Sequence, residues 1–183
     1  MKKTILASTL LALSFGAAAS EYNGHRIGAG ISNLTLSDNS SFNVPDWKLG
    51  NGIKLEYGYD FNEIVGINVS YTNHSDDVSV PDIEHSVNYK SSSLKVDADI
   101  GYAFQLDGFA IKPYGAIGLT STSEDLDTNS SWGNVYGGYS NLHVGMGVRA
   151  QLDMGMYADF RYDLGTYDDI DTDYLSFTVG YRF

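Results

Sequence analysis

Two short stretches carry the residue types that do chemistry in proteins. His74-Ser75-Asp76-Asp77 sets a base, a hydroxyl and two acids side by side, and Asp168-Asp169-Ile170-Asp171-Thr172-Asp173 gathers four carboxylates within six residues. A nucleophilic triad needs its base within hydrogen-bond reach of the nucleophile and a third group orienting the base. Neighbours in one exposed loop rarely meet that demand, so the first stretch reads as solvated surface rather than a catalytic site. Asp168, Asp169, Asp171 and Asp173 offer the oxygen ligands that a hard cation such as Ca2+ prefers. The glycine turn and distant glutamate of an EF-hand are missing, and a solvated acidic loop competes with the metal reading. Gly28-x-Gly30 and Gly145-x-Gly147 open no strand-to-helix turn and are not nucleotide motifs. They leave space for bulky neighbours such as Tyr114, Tyr157 or an arginine. No cofactor is expected.

Thirteen other charges obey a two-residue rhythm. In residues 52–61, Ile53, Leu55, Tyr57, Tyr59 and Phe61 alternate with Lys54, Glu56, Gly58 and Asp60. In residues 174–183, Leu175, Phe177, Val179, Tyr181 and Phe183 alternate with Ser176, Thr178, Gly180 and Arg182. Successive side chains of a strand point to opposite faces, so each run presents one apolar and one polar face. The pattern recurs in residues 26–34, 65–72, 94–104, 110–120, 142–152 and 156–164, which makes eight strands. Pro113 and several small residues blur the phase of 110–120; Ile111, Ile117 and Leu119 are set outward there, and Lys112, Tyr114 and Ala116 inward. Seven bases, Arg26, Lys54, Lys95, Lys112, Arg149, Arg161 and Arg182, share the polar phase with the acids Glu56, Asp60, Asp97, Asp99, Asp159 and Asp163. Seven against six nearly cancels, as an enclosed, self-pairing interior requires.

Residues 1–20 read as a secretion signal. Lys2 and Lys3 start it, the apolar run from Ile5 to Phe15 is too short to span a bilayer, and Ala17-Ala18-Ala19-Ser20 offers cleavage after Ala19 or Ser20. The expected mature domain, residues 21–183, keeps nine bases against 23 acids, a net charge of about −14. This balance argues against a nucleic-acid partner, which needs clustered Lys and Arg. The chain has no cysteine, which excludes disulfides, thiol catalysis, thiolate metal sites and a lipid-anchored cysteine. No stretch after the signal has the roughly 18 consecutive apolar residues of a transmembrane helix. The slightly negative mean hydropathy suits a membrane barrel as well as a soluble domain, because half of a barrel's strand residues face its lumen.

The connections alternate in length. Three are short, near Asn62, Asp107 and Asp153, and four are long, at residues 35–47, 73–90, 121–140 and 165–173. Long and short connections therefore sit at opposite ends of the strands, as in transmembrane barrels with short periplasmic turns and longer outer loops. Strands running toward the short turns finish in Tyr59 and Phe61, Tyr102 and Phe104, and Tyr181 and Phe183, which form one aromatic girdle. A charge facing lipid costs about 2–4 kcal/mol at the bilayer midplane, so the apolar phase must face outward. Thirteen acids lie in the long connections, against only Lys48 and Lys90 at their margins, and the exterior is anionic. The fold class is all-β: an eight-stranded antiparallel transmembrane β-barrel of meander topology, whose filled interior argues against an open channel.

With its signal segment, eight alternating strands, long connections on one side and closing Tyr181-Arg182-Phe183, the chain resembles the small eight-stranded outer-membrane proteins of Gram-negative bacteria. The OmpX/Ail-type and opacity-type surface proteins are nearest, the OmpA transmembrane domain more distant. The resemblance implies a monomer in contact with outer-membrane lipid and lipopolysaccharide. It implies that Phe183, preceded by Tyr181, Val179, Phe177 and Leu175, is the signal read by the barrel-assembly machinery. It also implies a structural or recognition role, in adhesion or envelope integrity, with a host or matrix ligand at the acidic loops. A narrow pore for small solutes is the alternative, and a lipid A-modifying enzyme a third reading. A lipid A deacylase of this shape would show His-x-Ser near a strand end, and none of His25, His74, His85 or His143 has Ser two positions on. Adhesive members often carry basic loop patches; this chain departs from that, which weighs against heparin-like polyanions. Phe42, Trp47, Trp132, Tyr136, Tyr139 and Tyr167 are the loop aromatics that could anchor a partner or pack the loops.

Overall fold

The computed structural model describes residues 22–38, 47–79, 86–128, 135–167 and 170–183. Its strands are β1 Gly24–Asp38, β2 Trp47–Asp60, β3 Val65–Ser79, β4 Ser86–Gly101, β5 Phe104–Leu106, β6 Phe109–Thr128, β7 Val135–Leu152, β8 Met156–Tyr167 and β9 Ile170–Arg182. β4 and β5 lie end to end along the same edge of β6, so the wall has eight staves. Every neighbouring pair is antiparallel and follows chain order, and β1 pairs with β9 to close the ring. The architecture is the closed meander that the alternation predicts.

The stagger of the ring follows from the pairings. From His74, one route through Ser91 and Glu124 reaches Gly137 on β7; the other, through Gly52, Ser32, Ser176 and Arg161, reaches Gly147, ten residues along the same strand. At eight strands with such a stagger the interior is just wide enough for side chains to fill. The usual order of a soluble core is reversed. Ile53 is 69 % exposed and Leu119 61 %, whereas Arg26 and Lys112 are completely buried. On β6 the phase is as the sequence suggests, with Ile117 and Leu119 outward and Lys112, Tyr114 and Ala116 inward.

The short turns are chemically specified. The Asn62 side-chain oxygen accepts from the amides of Ile64 and Val65 at 2.8 Å each, an Asx turn that starts β3. Gly108 and Gly155 adopt φ of +84° and +93° in the other two, a conformation that favours glycine.

Two sequence expectations are corrected. The run 94–104 is not one continuous strand, because pairing stops after Gly101 and resumes at Phe104. Pro113 lies opposite the gap: its oxygen accepts from Tyr102 N, but it has no N–H to return the bond. Ala103 nevertheless points inward and packs with Tyr22 and Ala110. Secondly, the long connections are much shorter than the alternation indicates, since β3, β4, β6 and β7 continue well beyond the apolar band. Asp76 pairs with Tyr89 and Asp125 with Tyr136. Above the bilayer the outward residues need not be apolar, so the period-two signal fades while the ladder persists. Asp38, Asp77, Glu124, Asp127, Asp171 and Asp173 also lie on strands, as do Trp47, Tyr139 and Tyr167. The signal segment, Phe42, Asp46, Asp82, Glu84, His85, Trp132, Asp168 and Asp169 fall outside the described residues.

Candidate functional site: an ionic column in the lumen

Inward phase and closure together force charges into a space with little water. Among the described residues, six bases and six acids are buried inside the barrel. They sort by height into three groups, each neutral in itself.

The lowest group lies within a few residues of the short-turn end. Arg26 Nε meets Asp60 Oδ2 at 2.8 Å, and its other nitrogen reaches Asp99 at 3.3 Å. Lys112 Nζ donates to Asp99 Oδ1 at 2.7 Å, and Arg149 Nε donates to Asp159 Oδ2 at 2.8 Å while its terminal nitrogens reach Asp60 and Asp99 at 3.5 Å. Tyr114 OH donates to Asp159 Oδ1 at 2.7 Å. Three cations thus face three carboxylates. In the middle, Lys54 pairs with Glu56 at 2.9 Å, and Tyr157 OH donates to the same carboxylate at 2.9 Å. In the upper group Arg161 grips Asp97 with two bonds of 3.0 Å and Asp163 with one of 2.7 Å, and Lys95 adds 3.0 Å to Asp163. His143 Nε2 stands 3.2 Å from Arg161 and 3.5 Å from Asp97.

A tyrosine covers each end. Tyr22, just before β1, is buried between Lys112 and Arg182, whose cationic groups lie 5.9 and 5.1 Å from its ring centroid. Arg182 is held at this mouth, where the Gln151 amide oxygen accepts from its Nε at 2.7 Å. At the other end Lys95 Nζ sits 3.7 Å from the Tyr174 ring, which also approaches the buried His74 at 6.0 Å. Desolvating so many charges is costly, and the pairs offset that cost only because nearly every group has several partners. Such a network rigidifies and fills; it leaves little room for a solute.

The glycines of the inward phase make this filling feasible. A Cβ on Gly28 would collide with the Tyr157 hydroxyl, one on Gly147 with the Tyr114 ring, and one on Gly58 with the Arg26 guanidinium.

The inward residues Arg26, Lys54, Glu56, Lys95, Asp97, Asp99, Lys112, Arg149, Asp159, Arg161 and Asp163 all lie in the column, and Asp60 joins Arg26, Lys112 and Arg149 at its base. Phe177, Val179 and Tyr181 on the closing strand β9, and Phe183 just after it, are exposed on the outward face. His74 is a correction: it is buried on β3 and its Ser75 neighbour points outward, so the stretch is not an exposed loop. Continuing the even-numbered phase of β3 two residues beyond Thr72 would have found it. The same extension from Ser176 finds Tyr174. Tyr22 precedes the first alternating run and has no periodic signal. Of the acidic stretch, Asp173 Oδ2 accepts from Tyr162 OH at 2.9 Å, and among the described residues no three acidic, histidine or cysteine side chains are grouped to hold a metal.

A closed barrel with a greasy exterior, an ionic core and an aromatic lower rim is a membrane-spanning protein. Residues 5–183 match the family described as the outer membrane protein beta-barrel domain, and the chain belongs to that family, in the outer membrane of a Gram-negative cell. Among solved structures it is similar to Ail, the attachment invasion locus protein of Yersinia pestis, with a TM-score of 0.63, 19 % identity, and coverage of 87 % of this chain and 99 % of that one. It is similar to the neisserial surface protein NspA at 0.62 and 18 %, covering 87 % and 97 %, and to OprG of Pseudomonas aeruginosa at 0.56 and 14 %, covering 87 % and 96 %. At these identities the likeness is one of fold. Ail has also been solved in complex with the heparin analogue sucrose octasulfate. Comparison with curated protein sequences finds no match.

Proposed function

We propose that this is a monomeric outer-membrane surface protein that works through its four extracellular hairpins, in recognition or in envelope integrity, and neither conducts solutes nor catalyses. The observation that carries this reading is the lumen: a column of paired charges, neutral at each level and covered by Tyr22 and Tyr174, leaves the hairpins as the free working surface. The reading includes export through the signal at residues 1–20, cleaved after Ala19 or Ser20, and delivery by the barrel-assembly machinery through Phe183 and the alternate residues before it.

The ligand chemistry is set by charge. The heparin analogue bound by Ail is a polyanion, whereas the extracellular hairpins over residues 35–48, 73–90, 121–140 and 165–173 hold thirteen acids and two bases, so a host or matrix ligand of this chain is cationic or neutral. Ca2+ bridging Asp168, Asp169, Asp171 and Asp173 to surrounding lipopolysaccharide belongs to the same reading. The test is exchange of the hairpins on whole cells, scored with a panel of matrix proteins, beside single-channel recording and mass spectrometry of lipid A. Binding lost with the hairpins, negligible conductance and unmodified lipid A are the expected results. Binding that survives exchange, steady conductance or altered lipid A removes the proposal.

A further inference from the structure

The outward face of the wall has a gap. Along β6 it reads Phe109, Ile111, Pro113, Gly115, Ile117, Leu119 and Ser121, so the position midway between the periplasmic turn and the first polar residue bears no side chain. Gly115 pairs with Ile100 on β4 and Met146 on β7, and Met146 pairs with Tyr162 on β8. In the row beneath, Pro113, Val148 and Phe160 are neighbours. The exposed side chains of Ile100, Met146, Val148 and Phe160 stand around the missing one and bound a groove of about 610 Å3 with an almost wholly apolar lining.

Its direction identifies the occupant. The row starts at Ile100, beside Gly101 whose amide donates to Ile64 O in the periplasmic turn between β2 and β3, and climbs to Tyr162, whose hydroxyl bonds Asp173 on the loop side. The groove therefore crosses the bilayer midplane and opens into the outer leaflet. Left unfilled, its lining would forfeit dispersion contacts. A linear hydrocarbon suits a gap one residue wide, while a second barrel would need a matching ridge. We propose that the groove seats one acyl chain of an outer-leaflet lipopolysaccharide molecule. This rests on the outer-membrane location and is independent of the recognition role proposed for the hairpins.

The experiment is native mass spectrometry of the mature protein extracted from outer membranes in mild detergent, comparing wild type with Gly115→Leu. A Cβ at position 115 would meet nothing nearer than the Gly145 carbonyl oxygen at 3.9 Å, so leucine is accommodated without disturbing the wall. Wild type is expected to carry one lipopolysaccharide, and Gly115→Leu about tenfold less, the equivalent of displacing roughly two methylenes. Leu119→Ala, on the same strand but outside the groove, should retain it. Heat-modifiable electrophoretic mobility reports folding; if leucine prevents it, Gly115→Ala is compared instead and should still weaken retention. Equal retention in wild type and variant, a bound phospholipid in place of lipopolysaccharide, or a dimer that Gly115→Leu dissociates would each overturn the proposal.

Discussion

His25 and Phe183 exchange both of their main-chain hydrogen bonds, each amide to the other's carbonyl at 2.9 Å, and stack their rings with centroids 5.8 Å apart at 23°. They lie at the periplasmic end of the β1–β9 seam that closes the barrel. The Tyr57 hydroxyl is hydrogen-bonded to His25 Nδ1 at 2.7 Å and the Tyr59 ring lies 4.8 Å away, so the final residue is locked into the girdle rather than merely exposed to lipid. This seam joins the parts of the chain farthest apart in sequence, where closing the loop costs the most entropy.

Removing either partner should separate stability from assembly. His25→Ala loses the ring contacts, worth about 0.5–1.5 kcal/mol, and leaves the main-chain rung intact. Deleting Phe183 also removes two main-chain bonds of about 0.5–1.5 kcal/mol each at the seam that closes the ring. Urea titration in micelles should show a small loss for the first, and folding into vesicles should become markedly slower only for the second. Equal folding rates would mean that the terminal rung has no special part in closure.

Asp99 answers three cations, with Lys112 at 2.7 Å, Arg26 at 3.3 Å and Arg149 at 3.5 Å. Asp99→Ala leaves buried positive charge uncompensated and is expected to cost about 3–5 kcal/mol. Asn73→Ala, on the exposed face of β3, should stay within about 0.5 kcal/mol. Urea unfolding of the refolded protein measures both, and a loss below about 1 kcal/mol for Asp99→Ala would show that water enters the base of the column.

What the sequence displays depends on the surrounding medium. Between the girdle and Leu119 or Leu142 lipid demands apolar outward residues, so Lys54, Asp97 and Arg161 betray their inward phase by contrast with Leu55, Val96 and Phe160. Above that band both faces are wet, contrast vanishes, and the alternation of β3 stops near Thr72 although its ladder runs to Ser79. Which carboxylate meets which cation was not legible either, because Arg26 and Asp99 are 73 residues apart and meet only through the stagger of the ring. Tyr22 escaped for a different reason: one aromatic outside any strand has no period to reveal it.

The extension of the ladders is itself testable. Ser91 pairs with Glu124, and Val87 with Thr128. If these hairpins stand above the membrane as paired strands, amides of residues 87–91 and 124–128 exchange with deuterium over minutes to hours, the timescale of local opening. Hydrogen-exchange mass spectrometry in nanodiscs reads this directly. Exchange within seconds across both segments would mean that the ladder ends at the bilayer surface.

Gly28 and Tyr157 provide the sharpest check on how tightly the column is packed. They face one another from β1 and β8 across the intervening β9, and the Tyr157 hydroxyl that occupies the space above Gly28 is fixed by its 2.9 Å bond to Glu56, which Lys54 holds in turn. A methyl at position 28 cannot be absorbed by turning a free side chain, because moving the phenol breaks that bond inside the barrel. Gly28→Ala should therefore cost about 1–3 kcal/mol, the usual range for overpacking. Tyr157→Leu removes the obstacle at its own cost, and the double variant should then be more stable than the two single losses predict, with a coupling of about 0.5–3 kcal/mol for residues in contact. Chemical unfolding of all four proteins completes the cycle. Additive losses would mean that Tyr157 has another place to go, and that the lumen holds more free space than a filled column permits.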